Sequence, residues 1–272
     1  MTNWGAMSRA ARDAAYNNTL AVGNAAAELH AAREQASAAF RKAHPQHLDL
    51  RYGRRERNSW DLFPAADPDA PCLVFIHGGY WQRNAKDQFA NLIGGPYARG
   101  WAAALPGYTL APDASLTEIV AEINAALDWL AAHGPEHGIK GKVVLSGWSA
   151  GGHLTAMCLG HPRVSAGLAI SGIFELGPIR DTYLDEKLQL TDVEIEQLSP
   201  LRLPMVGKPL AITYGSAELT ALVNDSRNLH AARSAAHLPG ALIPVAGANH
   251  FTIVHELRDA DGVLTRQLMA LI

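Results

Sequence analysis

Hydrophobic positions along this chain fall into two alternating patterns. Residues 72–76 (Cys-Leu-Val-Phe-Ile) are apolar without a break, as expected of a parallel strand buried on both faces. Similar short runs occur at 101–106, 143–146, 167–170, 210–214 and 241–245. Ahead of them, 47–52 and 59–63 read as two antiparallel strands joined by the charged turn 53–57. Helical spacing lies between the runs. The clearest helix opens at Ser115-Leu116-Thr117-Glu118, a capping box, carries Ile119, Ile123, Leu127 and Leu130 on one face, and stops at Gly134-Pro135. Pro244 inside the last run marks an edge strand, because proline cannot donate to a ladder.

The first 45 residues are helical and alanine-rich, with Leu29, Ala32, Ala36 and Phe40 on one face and Pro45 as the stop. We read 1–45 as a helical extension and 46–272 as the main domain. Its architecture is α/β: a mostly parallel eight-stranded sheet with helices on both faces. Residues 173–204, with scattered charges and three prolines, interrupt the alternation and predict a short cap over the open end of the sheet.

Composition narrows the class. With 272 residues, 48% of them hydrophobic and 18% charged, the chain has the make-up of one ordinary globular unit. A net charge of -3 without a basic block excludes tight binding to nucleic acid through phosphates. No apolar run is long enough to cross a bilayer, and no secretory signal is read at the start. Two cysteines, Cys72 and Cys158, cannot form a disulfide framework; both are expected as buried free thiols in a cytoplasmic protein.

Chemistry enters at three places. Gly147-Trp148-Ser149-Ala150-Gly151 follows one apolar run and opens a helix, the context in which a G-x-S-x-G turn lifts a serine out of a sheet as a nucleophile. His77-Gly78-Gly79-Tyr80-Trp81 follows the 72–76 run. Unobstructed N–H groups there, at Gly78 and Gly79, together with that of Ala150, would stabilise a tetrahedral oxyanion. A base must follow the serine, and His250, in the loop after the last strand, fits the order serine, acid, histidine. The acid is left open: Glu218, after the 210–214 run, is placed best, with Glu175 next and Asp181 and Asp225 behind. Tyr80, Trp81, Trp148, His153, Tyr183 and Phe251 are expected to line a pocket for substrate.

Taken together, His77–Trp81, 147–153 and Ala248-Asn249-His250-Phe251 resemble the kynurenine formamidase (arylformamidase) branch of the α/β-hydrolase superfamily. The resemblance extends to Tyr16-Asn17-Asn18 and Leu198-Ser199-Pro200. It implies an α/β-hydrolase fold, Ser149 as nucleophile, His250 as base, and Gly78, Gly79 and Ala150 as oxyanion hole. Animal members of that branch usually carry Asp where this chain has Glu218. The expected activity is metal-independent hydrolysis of a small ester or amide, arylformamidase-like, with a broad small-acyl carboxylesterase as the alternative and a non-catalytic ligand-binding fold as the remote one. No cofactor is implied: Asp259 spoils an H-E-x-x-H reading from His255, and no phosphate-binding glycine motif occurs. The expected partner is a small-molecule substrate, neither nucleic acid nor membrane, and a homodimer is left open.

Overall fold

The computed structural model describes residues 4–272. Eight strands are present among them: β1 Leu50–Arg51, β2 Ser59–Phe63, β3 Cys72–Ile76, β4 Ala102–Pro106, β5 Val143–Trp148, β6 Val164–Ile170, β7 Leu210–Gly215 and β8 Leu242–Val245. They form one sheet in the order β1-β2-β4-β3-β5-β6-β7-β8. Pairing is antiparallel from β1 to β2 and β2 to β4, and parallel from β4 onward. β8, with Pro244, is an edge strand as its proline requires. The first strand is much shorter than the expected 47–52, because only Leu50 and Arg51 pair with β2.

The helices are α1 Arg9–Ala15, α2 Asn18–Val22, α3 Ala25–Ala43, α4 Gly94–Ala98, α5 Leu116–His133, α6 Ala150–Cys158, α7 Gly177–Arg180, α8 Asp185–Leu188, α9 Asp192–Leu198, α10 Thr220–Ala235 and α11 Val263–Met269. α5 carries the capping box read from its sequence: the Ser115 hydroxyl accepts from the Glu118 N–H at 3.2 Å, and the Glu118 carboxylate accepts from the Ser115 N–H at 2.8 Å. Its apolar face is fully buried. Side chains of β3 alternate between two cores. Cys72, Val74 and Ile76 pack with α5, α6 and α10, whereas Leu73 and Phe75 pack with the 3-10 segment Lys86–Ile93 and α11. An unbroken apolar strand is therefore the signature of a sheet covered on both sides. Cys72 and Cys158 are buried and unpaired with each other. Among the described residues no helix is long and apolar enough to cross a membrane.

The N-terminal arm departs from expectation. It is three helices with breaks at Tyr16–Asn17 and Gly23–Asn24, and the face that α3 buries is centred on Ala26, Arg33 and Ser37. Leu29 and Phe40 are half-buried beside them, but Ala32 is exposed. Polar chemistry decides this docking. Arg33 donates to the Gln88 carbonyl at 3.1 Å and lies over the Phe89 ring, and Ser37 donates to Asn91 at 2.8 Å. At the far end, the fully buried Asp61 carboxylate of β2 receives Arg41 of α3 at 2.8 Å and Lys86 at 2.6 Å. A pattern that counts only apolar residues cannot see such a face.

Candidate active site

β5 delivers its last residue, Trp148, at the centre of the sheet, and the chain turns sharply into α6 through Ser149. Ser149 sits at φ 58, ψ −118, a conformation that costs a non-glycine residue about 1–3 kcal/mol and persists only when its surroundings impose it. They do so through backbone contacts: the Ser149 N–H donates to the Ile170 carbonyl at 2.8 Å. On the other flank, a Cβ at Gly151 would come within 2.0 Å of the Ile76 carbonyl oxygen. Glycine is thus required for α6 to start so close to β3.

The loop after β3 closes on the same turn. A Cβ on Gly78 would lie 2.6 Å from the Trp148 carbonyl oxygen and 3.0 Å from Ser149 Cβ. Gly79, Tyr80, Trp81 and Asn84 all have positive φ, so the loop is held by its contacts rather than by local preference. Two of those contacts set peptide planes. The Gly78 carbonyl accepts from Asn84 Nδ2 at 3.0 Å, and His77 Nδ1 lies 2.9 Å from it. Since the peptide is planar and trans, the Gly79 N–H points the opposite way. The His77 carbonyl accepts the Tyr108 hydroxyl at 3.0 Å, which turns the Gly78 N–H in the same manner. His77 itself is stacked on Tyr108 and buried, and burial pushes its pKa down to about 3. It is a neutral brace for the loop.

After β7, Gly215 and the turn that follows present Glu218. Its side chain is wholly buried and its carboxylate accepts three hydrogen bonds: His250 Nδ1 at 2.8 Å, the Ser171 hydroxyl at 2.5 Å and the Gly215 N–H at 2.7 Å. His250, from the loop after β8, is 4% exposed. The other candidate acids are engaged elsewhere. Glu175 binds Arg202 at 2.6 Å, Asp225 accepts the N–H groups of Phe174 and Glu175, and Asp181 accepts Trp4 Nε1.

Ser149 and His250 share a cavity of about 150 Å³. Gly79 lines it, and so do Tyr80, Trp148, Tyr183 and Phe251 from the set of candidate substrate residues. Trp81 and His153 do not. They pack edge to face at 5.0 Å, both fully buried, and His153 is hydrogen-bonded to the Leu198 carbonyl at 2.7 Å, with its pKa pushed down to about 4 by burial. Their place in the motifs made them candidates, but both side chains turn into the core.

Five wall residues escaped the sequence reading: Asn18, Thr19 and His30 from the arm, and Arg83 and Asn84 from the extended loop. Arg33 donates to His30 Nδ1 at 2.7 Å, leaving the ring proton on Nε2, and burial with the adjacent guanidinium lowers the His30 pKa. The Tyr16–Asn18 segment stood out in the sequence, but nothing local tells that it reaches a loop 62 residues away.

The comparisons agree with this architecture. The BD-FAE family model matches residues 62–163. The kynurenine formamidase of Danio rerio is 29% identical over 244 residues, 83% of this chain and 81% of that one. A Mycobacterium tuberculosis protein provisionally named a carboxylic ester hydrolase is 27% identical over 231 residues, 78% of this chain and 52% of its own length. A Silicibacter protein provisionally described as a thioesterase superposes with a TM-score of 0.84 at 28% identity, covering 94% of this chain and 98% of its own. With its parallel sheet, its strand-to-helix serine turn and these relatives, this chain is a hydrolase of the α/β-hydrolase fold, kynurenine formamidase-like in kind.

Proposed function

We propose that the protein is a serine hydrolase of small aryl amides, with an N-formyl arylamine such as N-formylkynurenine as the substrate class that suits it best. The observation that carries this reading is the 2.8 Å contact of a buried Glu218 with His250 Nδ1, in the pocket that also holds Ser149 on its strained turn. Glu218 keeps the imidazole proton on Nδ1, so that Nε2 is the base. His250 takes the Ser149 proton as Oγ bonds to the carbonyl carbon. The negative oxygen is met by the N–H groups of Gly78, Gly79 and Ala150. His250 then returns the proton to the amine nitrogen as the C–N bond breaks, and water hydrolyses the acyl-enzyme to release formate. No step uses a metal.

Cavity size and rings set the substrate class. About 150 Å³ beside Tyr80, Trp148, Tyr183 and Phe251 offers flat walls to an aromatic leaving group and little room for a long acyl chain. Each methylene forced into such a space costs about 1–3 kcal/mol, roughly 10–200-fold in kcat/KM. The test is kcat/KM from formyl to octanoyl on one arylamine and on the matching phenol. A steep fall beyond acetyl, with the formamide turned over, is expected. A profile flat or rising past butyryl would instead favour a broad carboxylesterase, the second reading, which the mycobacterial relative supports by its name. Failure of a fluorophosphonate to label Ser149 would return the protein to the ligand-binding class.

A further inference from the structure

We propose that a second cavity, outside the reaction pocket, binds an α-amino acid with an aromatic or large apolar side chain. The inference does not depend on the reaction proposed above.

The cavity, about 470 Å³, opens between the N-terminal arm and the start of α10, where Trp4, Tyr16, Leu219, Thr220, Ala221 and Asp225 line it. Two of these residues are almost wholly buried, Tyr16 at 3% and Asp225 at 7% exposed. Asp225 commits one oxygen to the fold: Oδ2 accepts the N–H groups of Phe174 at 2.7 Å and Glu175 at 3.3 Å. Its Oδ1 and the Tyr16 hydroxyl have no hydrogen-bond partner among the described residues. The polar atoms that this fold seals away without a partner include Asn18 Oδ1 and Ser226 Oγ, but neither Asp225 Oδ1 nor the Tyr16 hydroxyl. Both atoms therefore keep contact with open space, and the cavity is the space that their residues line. An acceptor so placed calls for a cation. Burial, with the Glu175 charge beside it, pushes the Asp225 pKa up to about 7, and an ammonium at Oδ1 would hold the carboxylate in its charged form.

The start of α10 asks for the opposite charge. No side chain caps this 16-residue helix. Its first backbone bonds come from the Leu222 and Val223 N–H groups to the Leu219 carbonyl, and the N–H groups of Thr220 and Ala221 have no partner among the described residues. Free donors at the positive end of a helix favour a carboxylate. The two demands lie close together. Ala221 and Asp225 are four residues apart on one face, one turn or about 5.4 Å along the axis, and helical side chains lean back toward the N-terminus. An α-amino acid carries its ammonium and carboxylate on a single carbon and meets both. Its side chain then has Trp4 and Tyr16 to pack on, two rings set edge to face at 5.8 Å.

Isothermal titration of the full chain compares L-phenylalanine with 2-phenylethylamine and 3-phenylpropanoate, which keep the ring and one charge each. We expect phenylalanine to bind saturably and each analogue to bind about ten-fold more weakly or worse, the factor of one hydrogen bond to a charged group. Asp225→Asn, whose side-chain oxygen can still accept from Phe174 and Glu175, should weaken phenylalanine about ten-fold or more, with thermal melting as the check on folding. Thr220→Pro removes one N–H at the first helical position, where proline is tolerated; Leu219, at φ −57 and ψ 137, already has the backbone that precedes a proline. It should weaken phenylalanine and leave 2-phenylethylamine unchanged. Absence of saturable phenylalanine binding overturns the site. So does an amine or acid that binds as tightly as the amino acid. Phenylalanine binding that neither substitution alters overturns it too, by placing the amino acid elsewhere on the protein. None of these outcomes touches the hydrolase reading, whose test is turnover.

Discussion

The two sides of the pocket are built by different physics. On the sheet side, Ser149, Glu218 and His250 follow the ends of the parallel strands β5, β7 and β8, whose register is set in a sheet with its central strands buried on both faces. On the arm side, Asn18, Thr19 and His30 are brought over the cavity by short helices whose docking is largely polar: Arg33 on Gln88, Ser37 on Asn91, Tyr80 on Tyr16. The difference teaches a division of labour. The sheet holds the groups we propose for the reaction, and the arm supplies part of the wall around them.

If that division holds, mutations on the sheet side act on kcat and those on the arm side on stability or selectivity. The largest effect belongs to Ser149→Ala, expected to lower kcat by at least about 10³-fold and to abolish fluorophosphonate labelling without shifting the melting temperature much. Turnover within ten-fold of wild type would break the comparison at its base. Next is Glu218→Gln, which lets the His250 ring adopt the wrong tautomer and should cost about 10²–10⁴ in kcat. Glu175→Gln, which alters only the Arg202 pair, should cost less than about three-fold. Steady-state kinetics of the two, side by side, would reverse the assignment if the ranking were inverted.

The arm side is sharpened by Asp61→Ala. It leaves Lys86 and Arg41 only the exposed Asp49 as an acidic partner, a change that costs up to about 3–5 kcal/mol. Urea unfolding should register that loss, and a change below about 1 kcal/mol would show the arm to be held by something else. The seam between the two sides is read through pH rather than through the loss of a contact. Asp225 of α10 lies with Tyr16 and Trp4 around a second cavity, and burial, reinforced by the nearby Glu175 charge, pushes its pKa up to about 7. A carboxyl whose folded pKa exceeds its unfolded value of about 4 holds its proton more tightly when folded. Its contribution is then fully favourable below pH 4 and is lost as pH rises to 7, at up to about 1.4 kcal/mol per pH unit. Asp225→Asn should flatten that part of the stability profile, read as the melting temperature between pH 4 and 8. An unaltered slope would show that Asp225 titrates normally.

The same division explains what could be read without coordinates. The sequence by itself determined the central strands, because each is a local run whose burial on both faces leaves a mark in every residue, as from Cys72 to Ile76; the short β1 and the half-buried edge strand β8 carry less of that mark. It determined the serine turn and the two-glycine loop, because strained backbone near a reacting atom demands small residues at fixed spacing. It put Glu218 and His250 in the loops after the last two strands. Only the tertiary structure sets Glu218, rather than Glu175, against His250, a contact between residues 32 positions apart in the chain. Only the tertiary structure turned Trp81 and His153 into the core while Tyr80 and Trp148 face the cavity, because a motif gives the order of side chains but not the direction each one takes. And only it brought Asn18 to Tyr80. A hydrogen bond between residues 62 positions apart leaves no period, spacing or composition in the sequence from which it could be inferred.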